Sequence, residues 1–166
     1  MSLTGKPSLT ASAPVINDVF WPDLLVDELM TNYRIPSEYA DGVIMTGLTL
    51  AVMNVNIRLT TIKAVLVKDG YENLAAYTLT STELINGSPV LLELYKHAVY
   101  ARAKGQLLMQ FVTINRRPQA ENAAKEGLPT EQYWLDESQT AIAEFFRRFL
   151  PEETVYNKAN VMAILL

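Results

Sequence analysis

Ser88-Pro89-Val90-Leu91-Leu92-Glu93-Leu94-Tyr95-Lys96-His97-Ala98-Val99-Tyr100, continuing as Ala101-Arg102-Ala103-Lys104-Gly105-Gln106-Leu107-Leu108-Met109-Gln110-Phe111-Val112, reads as one long helix. Ser88 is an N-cap residue type, and Pro89 suits the first helical position, where its missing N–H and fixed φ cost nothing. On a helical wheel Leu91, Leu94, Tyr95, Ala98, Ala101, Gly105, Leu108, Met109 and Val112 fall on one side, at the spacing of a buried stripe. Its middle is small: Ala98, Ala101 and Gly105 admit a second helix at closer range than a leucine seam would. The opposite side, with Glu93, Lys96, Tyr100, Lys104, Leu107 and Phe111, is mixed in character. The helix is therefore expected to be covered from two directions and to stand at the centre of the fold.

Upstream, Phe20-Trp21-Pro22 marks the start of order. Asp23 is expected to cap a short helix to about Arg34, with Leu24, Leu25, Glu28 and Leu29 laid on a neighbour and Pro36 ending it. Phe20 and Trp21 read as an anchor, set either into the protein's own core or into a partner; burial in the core is what large aromatics favour. Ser37 restarts a longer helix in which Ile44, Leu48, Ala51, Val55, Leu59, Ile62 and Leu66 repeat at helical spacing, with Gly70 as its stop. The β-branched run from Thr60 and the Asp69-Gly70 pair make a hairpin over 62–71 the competing reading, but the unbroken period favours helix.

A short helix follows at Glu72 to Tyr77, then Thr80-Ser81-Thr82-Glu83 with capping-box spacing and a turn at Asn86-Gly87. Beyond the central helix, Thr113 to Pro118 reads as a loop carrying Arg116 and Arg117 side by side. Thr130 can cap a last helix to about Leu150, with Tyr133, Trp134, Ile142, Phe145, Phe146 and Phe149 completing the core. The expected fold class is all-α, a bundle of about four to five helices around the central helix at 88–112. Residues 1–19 are expected to form a flexible N-terminal arm, 20–154 the helical domain, and 155–166 an apolar C-terminal tail. In that tail Val161, Met162, Ile164, Leu165 and Leu166 are too apolar to be left in water, so it is expected to fold back or dock on another chain.

Composition narrows the function. The 166 residues suit one domain with a real core, and the absence of cysteine removes disulfides and thiolate chemistry. A single histidine, His97, cannot build a His-rich metal site; it is expected to pair with Glu93 one turn away. There is no nucleophile elbow, phosphate loop, dinucleotide fingerprint or zinc-protease motif, and the carboxylate pairs Asp136-Glu137 and Glu152-Glu153 read as solvated faces. Neither an enzyme nor a cofactor is expected. No run of about 18 apolar residues occurs, so the expectation is a soluble protein that remains in the cytoplasm, with no membrane partner. The net charge of −4 argues against a free-standing nucleic-acid binder. Between Leu94 and Pro118 all charges are basic, whereas Glu121 to Glu153 carries eight acids. Either one helix lies across another with complementary faces, or a basic surface of one subunit meets an acidic surface of the next.

In order along the chain, Phe20-Trp21-Pro22-Asp23, Val55-Asn56 with Leu59, Asp69-Gly70-Tyr71-Glu72-Asn73-Leu74, Ile85-Asn86-Gly87-Ser88, and Tyr95 with Ala98-Val99-Tyr100 and Ala103-Lys104 resemble the head completion (head stabilisation) proteins of contractile-tailed bacteriophages, the GPL family. The resemblance runs from Phe20 to Leu166; the chain departs from it at Gly127-Leu128-Pro129 and in its ending Ile164-Leu165-Leu166. It implies a virion structural protein, at work in the host cytoplasm during assembly and then at the head–tail junction. Such a protein binds the portal vertex after DNA packaging, closes the filled head and prepares the neck for the tail. By analogy with head-to-tail connector proteins it implies a ring around the DNA channel, with the portal ring, copies of itself, tail or neck proteins and the packaged DNA as partners. The family supplies no catalytic residues. Arg116 and Arg117 are the residues expected to face the channel or the portal; equally, they could compensate the C-terminal dipole of the central helix. The competing function is a soluble helical adaptor or nucleic-acid-associated regulator that uses the basic segment 94–118.

Overall fold

The computed structural model describes residues 14–36, 39–81, 83–114 and 131–150. Its elements are α1 (Val26–Asn32), α2 (Asp41–Arg58), α3 (Thr60–Lys68), α4 (Leu74–Thr78), a hairpin of β1 (Leu84–Ile85) and β2 (Ser88–Pro89), α5 (Val90–Ile114) and α6 (Glu131–Phe149). Apart from the hairpin these residues form the all-α bundle expected from the sequence.

Helix α5 is central because it is apolar around most of its circumference: Leu91, Tyr95, Ala98, Val99, Tyr100, Ala101, Ala103 and Leu107 are all buried. Two helices cover it at glycines. A Cβ on Gly47 of α2 would stand 3.0 Å from Leu107 Cδ2, and one on Gly105 of α5 would stand 3.0 Å from Leu135 Cδ2 and 3.1 Å from the Glu131 carbonyl of α6. Two turns away, Ser138 Oγ donates to the Ala98 carbonyl across 2.7 Å. The small middle of α5 is thus the seat of α6. The stripe ends sooner than its spacing predicts: Met109 is exposed, while Leu107, assigned to the outer side, is buried under α2.

Ser88 and Pro89 do not start α5. They pair with Ile85 and Leu84 across a two-residue turn in which Asn86 (φ 50°) and Gly87 (φ 79°) both take left-handed backbone, the requirement of a tight hairpin. The first α5 N–H, from Val90, donates to the Glu83 carbonyl instead of to a serine cap. No helix follows Thr80 or Ser81, so the capping-box reading fails among the described residues; Thr82, like Ser37 and Thr130, lies outside them.

The long second helix is two helices. All seven of its predicted core positions, Ile44 to Leu66, are buried, but the axis turns by 59° between α2 and α3. Thr60 Oγ1 donates to the Ile57 carbonyl at 2.8 Å and lies 3.2 Å from that of Asn56, competing with the amides that would continue α2. Gly70 (φ 93°) ends α3 as expected: Tyr71 N–H donates to the Leu66 carbonyl and Gly70 N–H to that of Val67, closing the helix with a paired cap. Helix α1 begins later than predicted because Asp23 is engaged elsewhere, its Oδ1 accepting from Asn17 N–H at 2.8 Å. It ends earlier, at a left-handed Arg34 (φ 51°), where Ile35 N–H returns to the Met30 carbonyl before Pro36 is reached. No single helix among the described residues is long and apolar enough to cross a membrane.

Candidate functional site

The N-terminal segment, α2 and α5 meet in a closed polar ring inside an aromatic cage. Asn17 Nδ2 donates to Tyr95 Oη at 2.8 Å, Tyr95 Oη donates to Asn56 Oδ1 at 2.6 Å, and Asn56 Nδ2 donates back to Asn17 Oδ1 at 2.8 Å. Trp21 stacks on the Tyr95 ring at 4.7 Å, with Phe20 and Phe145 edge-on to Trp21. Contacts of this kind add about 0.5–1.5 kcal/mol each beyond area burial. Asp18 ties the segment down: its Oδ1 accepts from Phe20 and Trp21 N–H, and its Oδ2 pairs with Lys63 Nζ at 2.6 Å. Burial presses the Asp18 carboxyl upward, but the hydrogen bonds from Lys63, Trp21 and Phe20 outweigh it and hold the group below the usual carboxylate range. Phe20 and Trp21, only 4% and 3% exposed, are anchors into the protein's own core.

A second seam joins α1 and α6 to α5. Tyr100 Oη accepts from Leu25 N–H and lies 2.8 Å from Glu28 Oε2, which shares its carboxylate with Lys96. Tyr33 Oη meets His97 Nδ1 at 2.8 Å, and His97 Nε2 faces Glu137 of α6 at 3.5 Å. The partner of His97 is thus Glu137 and Tyr33, not Glu93. Lys104 donates to the Tyr33 carbonyl and lies 4.2 Å over the Trp134 ring. Burial, then the charges of Glu93 and Glu28, push Tyr33 up to about 12; burial and the bond to Glu28 push Tyr100 further. A tyrosine, a histidine and a carboxylate in line can resemble a proton relay, yet each is spent on joining helices. Of the basic segment, Lys96 and Lys104 are used internally in the same way.

Arg102 is the exception. It lies beside Arg58 of α2, and its Nε, with Gln106 Oε1 one turn on, is buried and unpartnered among the described residues. Burial, and after it the like charge of Arg58, pull its guanidinium below the ordinary value. Arg116 and Arg117, and the tail residues Val161, Met162, Ile164, Leu165 and Leu166, lie outside the described residues.

The model of the phage head completion protein (GPL) family matches residues 15–148, a span that starts at Val15 beside the polar ring and takes in the elements above but for the last residue of α6. This chain belongs to that family. A "Probable head completion/stabilization protein" of Haemophilus phage HP1 (strain HP1c1) is 32% identical over 105 residues, 62% of this chain and 67% of the relative. No solved structure matches. Head completion proteins are structural components of the phage head, so this protein has a structural part in head assembly, its place is the virion, and its partners are other virion components.

Family membership also makes sense of which residues carried the resemblance. Trp21, Asn56 and Tyr95, far apart in sequence, are the members that meet in the aromatic cage and polar ring. Asn73 caps α4 through its side chain, which accepts from Ala76 N–H at 2.7 Å, and Asn86-Gly87 forms the hairpin turn. These are architectural positions. Asn17, the third member of the ring, escaped sequence reading because it falls in the segment assigned to the arm; Val15, also there, is buried and bridges to Leu24. The available signal was an Asn17-Asp18 pair directly ahead of Phe20-Trp21, an arrangement that favours local side-chain-to-backbone turns.

Proposed function

We propose that this protein closes the DNA-filled head at the portal vertex and forms part of the neck on which the tail is mounted. Membership of the head completion family across residues 15–148 is the observation that carries this reading. In it, the working form is a ring of copies seated on the portal and facing neck or tail proteins, with DNA passing through. A net charge of −4 suits such a channel, because every basic contact to phosphate adds affinity that would retard the DNA. Arg116 and Arg117 are the exception, facing the channel or portal to retain the DNA end. Of the segment read as an arm, residues 1–13, together with the apolar tail, serve as assembly contacts.

The test is direct. Heads assembled without the protein are expected to lose their packaged genome, and heads to which it is added back are expected to keep it. Equal retention with and without it would overturn the reading. Replacing Arg116 and Arg117 together by alanine is expected to weaken retention while leaving the helical content of the purified protein unchanged.

A further inference from the structure

Helix α2 is apolar on two sides. Its inner side makes the core, and on its outer side Leu50, Met53 and Ile57 are exposed, the last to 70%. Between Asp41 and Arg58 it carries no charged residue at all, whereas a helix meant to face water normally has a charged outer face. At the edge of this apolar face lie Arg58, whose Nε is held by Asn54 Oδ1 at 3.0 Å, and the half-buried Arg102. Among the described residues no carboxylate pairs with either guanidinium. Arginine and methionine among aliphatic residues, with lysine and acids sparse, is the composition of the buried centre of a protein contact.

The complementary charge lies on another side of the same molecule. On α6, Glu137 and Glu144 are spent on His97 and on Arg147 and Arg148. Asp136 is exposed, holds only the neighbouring Gln132 side chain and forms no ion pair among the described residues, and Tyr133 is exposed one turn before it. Among the described residues no ion pair joins the two surfaces within one subunit.

We propose that the outer face of α2 with Arg58 and Arg102 is the subunit–subunit contact, and that it receives the outer side of α6 from a second copy of this chain. This rests on the ring reading above. The contact is head-to-tail, the kind that closes into a ring when the rotation fits. A carboxylate set between the two arginines relieves their mutual repulsion, as guanidinium–carboxylate pairing does elsewhere. DNA is the poorer occupant, since a phosphate backbone gains nothing from Leu50, Met53 and Ile57.

The chain contains no cysteine, so cysteines can be placed at will. Filled heads carrying I57C/Q132C or I57C/T140C, all three exposed positions, are treated with a short bismaleimide and resolved on denaturing gels. A ladder of dimers and higher multimers is expected from at least one double variant and from none of the single variants. A dimer band from I57C alone would mean a two-fold contact and overturn the proposal. Incorporation with full genome retention but no ladder would overturn it too, leaving the head-closing reading intact. Heads that hold their genome without taking up the protein at all would sink that reading itself. As a charge test, R102E is expected to reduce retention by about tenfold or more, with substantial recovery in R102E/D136R. A shift of free duplex DNA by the purified protein, abolished in R58A/R102A and unaccompanied by a ladder, would assign the face to DNA instead.

Discussion

Tyr95 is where three separately encoded segments agree, and its hydroxyl is the simplest place to test whether the agreement has energetic weight. Tyr95→Phe keeps the stack on Trp21 but leaves Asn56 Oδ1 without its donor. A loss of about 1–2 kcal/mol is expected, read as a lower urea midpoint with unchanged slope. Asn17→Ala combined with it should cost less than the sum of the two, because both changes open the same ring. Asp18 offers a pH test. Its folded pKa is depressed below 3.8, so the stability it contributes is present above that value and drains away as pH falls through the folded value. Asp18→Asn is therefore expected to be less stable than the parent at neutral pH and to show a flatter loss of stability in acid; parallel acid limbs would contradict it. At this scale sequence reading was least successful. Single polar residues such as Asn17 have no periodicity to betray them, and the pairing of His97 with Tyr33 and Glu137 depends on where α1 and α6 land, not on spacing along α5.

Helices were legible wherever a buried face repeated, and illegible where local chemistry acted without disturbing that repeat. The positions Ile44 to Leu66 stay in phase through the bend at Leu59, so hydrophobic spacing could not reveal two helices where one was expected. Likewise Ser88-Pro89 fits a helix start and a strand equally well, and only pairing with Leu84 and Ile85 distinguishes them. The small residues of α5 did forecast a close neighbour, and the two glycines at its contacts make that testable. Gly105→Ala would press on the Glu131 backbone carbonyl as well as on Leu135, and backbone cannot turn aside; a net loss of about 1–3 kcal/mol is expected. Gly47→Ala meets only the Leu107 side chain, and the helix-propensity gain of about 0.5–1 kcal/mol offsets much of that strain. Thermal melts should rank Gly105→Ala well below Gly47→Ala, and the reverse order would mean that α6 is not seated as described.

Across the whole molecule, the function expected from the sequence came from an ordered series of residues that turn out to hold the fold together, while the surfaces that would meet other virion components left a weaker trace. Core residues answer to many neighbours within one chain and so form patterns; an interface half answers to a partner the sequence does not contain. The pairing of charges between 94–118 and 121–153 illustrates the limit: among the described residues His97–Glu137 joins α5 to α6, Lys96 turns to Glu28, and Arg102 has no acid. The body these contacts build should behave as one cooperative unit, and its tyrosines can report on that. Burial raises Tyr33 and Tyr39 to about 12 and Tyr95 and Tyr100 higher still, all above the ordinary value of 10.0. A raised folded pKa means that the stabilisation is complete below 10 and is lost as pH climbs through the folded values, because the unfolded chain gives up its phenolic protons first. These residues sit on the N-terminal side of α2, at the end of α1 and along α5, so their ionisation cannot be local. Tyrosinate absorbance and helical circular dichroism are expected to change together above pH 10, and Tyr33→Phe should make the alkaline loss of stability less steep between 10 and 12. Ionisation of these four groups well before any loss of helix would mean that they are open to water and that the bundle is looser than its packing implies.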